Sequence, residues 1–293
     1  MIKKLYTLLL AVGVVFCFAT CDLINPEESI PAFIYVPDFQ LNTNAGQGSN
    51  SNKITDVWLS INGNFLGVYT LPALIPILAE GEQTIVLEAG IKDNGINATP
   101  EIYPFYKPFE IKRNLKPNMV DTIRPVTTYR DNARFSFIEP FEQESHLFQD
   151  LRTGNNFNRI QITSDGAFEG NAAWIRMDKD NPIFELATNL RFEDLKEKGG
   201  LVYLELNYKS DVPVIFGLIG YPAGGATGVP LYDPGFLASN EWNKIYFNLS
   251  SLLIGSAYSE FQVAFQSVLP NQNGVFTQNS ASIWLDNIKL VRF

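Results

Sequence analysis

Residues 201–221, LVYLELNYKSDVPVIFGLIGY, decide the fold. They are rich in the β-branched and aromatic residues that strands favour, and they read as a long pair of strands. Working outward, EWNKIYFNLSSLL (241–253), FQVAFQSVL (261–269) and SASIWLDNIKLVRF (280–293) supply more strands downstream. Upstream, ARFSFIEPFEQ (133–143) reads as a strand and NRIQITSDGAFEGNAAWIRMD (158–178) as two strands about a glycine-rich bend. Short strands at regular spacing with turn signals between them indicate an all-β sandwich. A single short helix is predicted in LRFEDLKEKGG (190–200), stopped by Gly199 and Gly200.

The preceding hundred residues repeat the pattern. PAFIYVPDFQL (31–41) reads as a strand and NTNAGQGSNSNK (42–53) as a loop of Asn, Gly and Ser. Val57, Leu59 and Ile61 share one strand face, and Asn62-Gly63 predicts a hairpin turn before Phe65 to Tyr69. Glu80-Gly81 turns into a further strand at Thr84 to Leu87, and VDTIRPVTTY (120–129) is another candidate. Prolines 72, 76, 100, 104 and 108 discourage long helices throughout.

Two resemblances attach to these stretches. ITDVWLSINGNFLGVYTLPALIPILAEGEQTIVLEAGI (54–91) resembles PEGA-type and related immunoglobulin-like domains, and its continuation through residue 111 resembles surface lipoproteins of the Bacteroidota. FIEPFE (137–142), EWNKIYFNLS (241–250) and IWLDNIKLV (283–291) resemble the galactose-binding-like jelly rolls that include many carbohydrate-binding modules. The fold expected is therefore all-β: an immunoglobulin-like β-sandwich over 30–131, then a jelly-roll β-sandwich over 133–293.

The N-terminus places the protein in the cell. Lys3 and Lys4 precede a mostly apolar run from Leu5 to Thr20, too short for a bilayer span and suited to an export signal. Phe18-Ala19-Thr20-Cys21 resembles a bacterial lipobox, in which cleavage before the cysteine leaves a sulfur that receives lipid. Cys17 has no small residue before it and is rejected. Residues 1–20 are then a lipoprotein signal peptide, Cys21 the lipidation site and residues 21–29 a tether. The competing readings are an ordinary secretory signal cut near Ala19 and an uncleaved anchor. A lipidated Cys21 implies the cell envelope, with the outer membrane expected, and leaves no thiol for a disulfide.

Composition excludes some partners. Losing Lys3 and Lys4 with the signal takes the formal charge from −9 to −11, which argues against nucleic acid and against a polybasic hold on anionic lipid. His146 is the only histidine, so a zinc centre or a serine triad is not expected, and neither G-x-S-x-G nor a phosphate-cradling loop occurs. The reading is a non-enzyme that binds either glycan or another envelope protein, with a glycoside hydrolase as a third alternative.

The candidate residues follow. Tyr221, Tyr232 and Phe236 border YPAGGATGVPLYDPGF (221–236), a Gly/Pro-rich loop on which aromatic rings could stack against sugar. Trp174 and Trp242 are assigned to core packing. Glu142 and Asp286 lie on what would be the first and last strands of the jelly roll, where that resemblance implies a structural Ca²⁺; the competing reading is that Asp286 only hydrogen-bonds a loop and Glu142 is solvated. Asp121-Thr122-Ile123 fits an O-glycosylation pattern reported for Bacteroidota exported proteins, making Thr122 the candidate acceptor.

Overall fold

The computed structural model describes residues 30–152 and 160–293, and its regular secondary structure is almost wholly strand. Cys21, the expected lipidation site, lies outside the described residues. The first ten strands are β1 (Ala32–Val36), β2 (Gln40–Leu41), β3 (Asp56–Ile61), β4 (Asn64–Thr70), β5 (Ala73–Ile77), β6 (Gly81–Lys92), β7 (Pro100–Ile102), β8 (Phe109–Leu115), β9 (Val120–Thr122) and β10 (Val126–Thr127). One sheet runs β4-β3-β6, with β8 and β7 paired along successive lengths of β6; the other runs β5-β1-β9, and β2 pairs with β10. β1 lies at the centre of its sheet, antiparallel to β5 and parallel to β9. The predicted hairpin forms at Asn62 (φ 50°) and Gly63 (φ 80°), both left-handed as a two-residue turn of right-twisted strands requires. The core takes alternate residues: Ile34, Val57, Leu59, Ile75, Ile85 and Leu87 are all buried.

The remaining strands are β11 (Arg134–Glu139), β12 (Phe148–Asp150), β13 (Ile160–Thr163), β14 (Ala172–Asp178), β15 (Ile183–Thr188), β16 (Val202–Ser210), β17 (Val214–Tyr221), β18 (Val229–Phe236), β19 (Ser239–Asn248), β20 (Glu260–Val268), β21 (Asn271–Gln272), β22 (Val275–Phe276) and β23 (Ser280–Arg292), with a single helical turn, α1 (Ser250–Leu253). They form a jelly roll. A six-stranded sheet ordered β13-β14-β23-β16-β19, with β11 on the far length of β23, faces a five-stranded sheet ordered β12-β15-β20-β17-β18. Between the sheets lie Ile175, Leu204, Leu206, Phe216, Phe247, Val263, Phe265 and Ile283, all buried. The opening stretch forms β16 and β17, placed in different sheets. The helix expected in 190–200 is reduced to a 3₁₀ turn at Glu197–Gly199. Phe192 is drawn instead into a bridge with Phe261, and Gly199 and Gly200 are both left-handed.

The two sandwiches meet through an aromatic and ionic layer. β16, β19 and β23 turn Tyr203, Glu205, Lys244, Tyr246, Lys289 and Val291 away from the jelly-roll core. Tyr103, Phe105, Tyr106 and Tyr129 of the first sandwich cover that patch, with Tyr103 5.3 Å from Tyr203 and 4.9 Å from Tyr246 between ring centres. Glu205 is fully buried here. Its Oε1 accepts the hydroxyls of Tyr103 at 2.6 Å and Tyr129 at 2.8 Å, and its Oε2 lies 3.1 Å from Lys244 Nζ. Lys289 Nζ donates to the Ser49 carbonyl at 2.7 Å and to Tyr129 Oη at 3.3 Å. Burial alone would raise the Glu205 carboxyl, but Lys244, Lys289 and the two hydroxyls outweigh it and hold the group below its ordinary value.

Candidate functional site

The first sandwich covers only one end of the six-stranded sheet's outer face. At the other end lies a row of aromatics. On β14, Ala173 and Ile175 point into the core, so Trp174 points out; on β23, Ile283 and Leu285 point in and Trp284 points out. Trp174 and Trp284 are register partners, their ring centres 6.5 Å apart and planes 23° from parallel. Lys209 of β16 is in register with Trp284 and holds its ammonium 4.9 Å from that ring's centre, a cation–π contact. On β19, Asn243 bonds the inward Tyr208 hydroxyl at 2.9 Å, so its neighbour Trp242 faces out beside Lys209. Trp242 Nε1 donates to the Gly166 carbonyl at 2.9 Å, and its ring meets the exposed Phe168 at 5.7 Å.

This corrects the assignment of Trp174 and Trp242 to the core. Both are partly exposed because the strand's period of two puts them opposite the apolar residues that flank them. Three of the four tryptophans thus cross four adjacent strands in one line, with Gln161, Arg176 and Ser282 beside them. Trp284 and Lys209 were not singled out from sequence, although the alternation of IWLDNI and ELNYKS carries their orientation.

Between this row and the covered end stands an acidic loop. Glu142 and Asp286 do come together, with Glu169 beside them. Asp286 Oδ2 accepts the Glu169 N–H at 3.1 Å and Oδ1 the Asn287 N–H at 2.7 Å, while Glu142 accepts the Asn171 N–H at 3.4 Å. Gly170 is left-handed, and any Cβ there would collide with the Glu142 carboxylate. Burial, with repulsion from Glu169 and Glu142, pushes Asp286 up to about 7 against the pull of its two N–H partners. Among the described residues no three His, Cys, Asp or Glu side chains converge on a point. Asp286 and Glu142 each accept backbone N–H groups here, and these bonds tie the loop through Glu169 and Asn171 to the sheet.

The five-stranded sheet carries the other three candidates, with Tyr221 and Tyr232 outside the main core, and the structure corrects two of the three. Residues 229–236 are strand β18 rather than open loop, and this turns Phe236, 3% exposed, into the core against Tyr208 at 4.0 Å. Tyr221 is 8% exposed, because the Arg191 guanidinium lies 3.5 Å over its ring and Arg191 is itself paired with Glu260. Its stacking face is already taken. Tyr232 is partly exposed and donates to Glu185 Oε1 at 3.2 Å, with Arg152 on the same carboxylate. Thr122 is exposed on β9, beside Asp121, which pairs with Arg113 at 3.2 Å.

No family model matches the chain, and no curated protein matches it. Among solved structures it is similar to a carbohydrate-binding module of the β-sandwich superfamily described for promiscuous specificity, at 13% identity over 90% of this chain and 99% of that one, with a TM-score of 0.38. It is also similar to the family 11 carbohydrate-binding module of the cellulosomal cellulase Lic26A-Cel5E of Clostridium thermocellum, at 14% identity over 54% of this chain and 94% of that one, TM-score 0.38. A family 29 carbohydrate-binding module gives 14% identity over 55% and 88%, TM-score 0.34. Superpositions this loose carry no inference about ligand or chemistry, which must come from the surface itself.

Proposed function

We propose that this chain is a lipid-anchored cell-envelope protein that binds glycan on its jelly roll without transforming it. The observation that carries the reading is the row Trp174–Trp284–Lys209–Trp242 on a solvent-facing sheet. Large aromatic rings lose favourable contacts with protein when they face water, and a sheet surface left to solvent is ordinarily polar. A sugar ring presents an apolar C–H face that an indole can cover while its hydroxyls reach side chains at the rim. Lys209, Arg176, Gln161 and Ser282 supply that rim. A wide apolar patch would favour a protein partner instead; polar residues between and beside the rings favour a hydroxyl-rich ligand. Tyr232, with Glu185 and Arg152, is a smaller polar-aromatic surface on the opposite sheet.

The test is affinity electrophoresis of the whole mature chain through gels holding soluble plant, fungal or bacterial polysaccharides. At least one should retard the wild type, and Trp174→Ala/Trp284→Ala should weaken that binding ~10-fold or more with the melting temperature little changed. Retardation by no polysaccharide, or equal retardation of the double variant, refutes the site and moves the weight to an envelope protein partner.

A further inference from the structure

The immunoglobulin-like sandwich has two ends, and β6 spans both. Its 12 residues run about 40 Å from Gly81, paired with Leu115, to Lys92, next to the jelly-roll contact of Asp93 with Tyr246. At the Gly81 end, away from the jelly roll, apolar side chains point into solvent: Leu78 is 74% and Met119 60% exposed, with Ile30, Leu66 and Val120 exposed beside them. Register places them together. Ala32 pairs with Ile77 and Phe33 with Val120, so the start of β1, the end of β5 and the start of β9 share this end; Leu66 and Leu78 line one shallow hollow with Ile61 and Ile77. Five bulky apolar groups on one end of a sandwich need something to cover them.

The chain outside the described residues identifies what does. It joins at Ile30, within this apolar end. Eight residues, Asp22 to Ser29, separate it from Cys21. A chain of that length reaches at most about 28 Å. A lipid on Cys21 therefore tethers the molecule to the bilayer through this end. We propose that the end formed by Ile30, Leu66, Leu78, Met119 and Val120 seats in the lipid headgroup layer, as apolar side chains of interfacial proteins do. The sandwich then stands upright on the membrane and carries the tryptophan row at its far side. The proposal rests on the acylation of Cys21 but concerns separate residues, so the two can fail separately.

The experiment uses the acylated chain from the membrane fraction, reconstituted in phosphatidylethanolamine–phosphatidylglycerol vesicles. Leu78→Cys, Met119→Cys and the control Val275→Cys, on the exposed β21–β22 hairpin, each carry the environment-sensitive dye NBD. Seating predicts blue-shifted emission and quenching by spin-labelled lipid at 78 and 119, and neither at 275. Co-flotation with no change at 78 or 119 overturns the seat and leaves the anchor standing. If the chain does not co-float, the anchor fails, and the seat is read instead on the Cys21→Ser chain held to chelating-lipid vesicles by an N-terminal polyhistidine. In that arm the same shifts support the seat and their absence overturns it. A concentration-dependent blue shift at 78 and 119 without vesicles assigns this end to contact between copies of the chain and overturns the proposal.

Discussion

Glu205→Gln is the sharpest perturbation of the interdomain layer. The substitution keeps volume and an acceptor oxygen, so the Tyr103 and Tyr129 hydroxyls at 2.6 and 2.8 Å can still donate to it. What it removes is the negative charge. Lys244, 3.1 Å away and almost fully buried, then keeps a positive charge with no counter-charge beside it. Lys289 retains the Ser49 carbonyl but loses the same attraction. Leaving one buried charge unpaired costs about 3–5 kcal/mol, a large share of the ~5–15 kcal/mol that holds a typical domain together. The weakening of two charge-assisted hydroxyl bonds adds to this but is not independent of it. Urea unfolding of the mature chain should show the loss as a lower midpoint. Adding Lys244→Met to Glu205→Gln should recover part of it, since the orphaned cation goes with it. A Glu205→Gln chain within ~1 kcal/mol of wild type would refute the claim that this ionic cluster clamps the sandwiches together.

The other expectations are narrower. Asp286, raised from 3.8 to about 7, binds its proton more tightly folded than unfolded, so its contribution is fully present below about pH 4 and is lost as pH rises through 7. Asp286→Asn should flatten that stretch of the stability–pH curve, and an unchanged slope in thermal melts would contradict the burial argument. Because the carboxylates face N–H groups, EDTA should leave the melting temperature unmoved; a rise on adding Ca²⁺ would return calcium to the site. At Gly217 a Cβ would collide with the Leu231 carbonyl of the neighbouring strand, so Gly217→Ala should cost ~1–3 kcal/mol in urea unfolding. Intact-mass measurement of envelope-derived protein should find a glycan that disappears in Thr122→Ala, and radioactive palmitate should label the wild type but not Cys21→Ser.

Strand periodicity and turn residues made the fold readable. Asn62-Gly63 could only be a tight hairpin, and the alternating runs at 54–61, 202–208 and 280–291 could only be strands facing a core on one side. The same alternation contained the site, but reading it needs the phase as well as the period. Trp174 was placed in the core because it sits within an apolar strand; its neighbours Ala173 and Ile175 had already taken the inward positions. Phe236 failed in the opposite sense. Pro and Gly in YPAGGATGVPLYDPGF read as loop, yet Gly235 lies so close to Val214 that no side chain fits, and that contact is what lets β18 form and turn Phe236 inward. Long-range contacts were the least legible. Nothing local to Glu205 reveals that two tyrosines 102 and 76 residues upstream will bury it.

That burial bears on how the surface is used. On β16, Tyr203, Glu205, Asn207 and Lys209 all point to the same side, yet the first two lie beneath the immunoglobulin-like sandwich and Lys209 lies among open tryptophans. One sheet face thus serves two purposes at different lengths of the same strands. Rotating the sandwiches against each other would expose Glu205 and Lys244 or cover Trp284, so the ionic clamp also fixes where the aromatic row points. A clamp-breaking variant should therefore show altered glycan retention even though it touches no residue of the row. If Glu205→Gln loses stability but binds glycan at full strength in the folded state, the row is an independent surface and the clamp orients nothing.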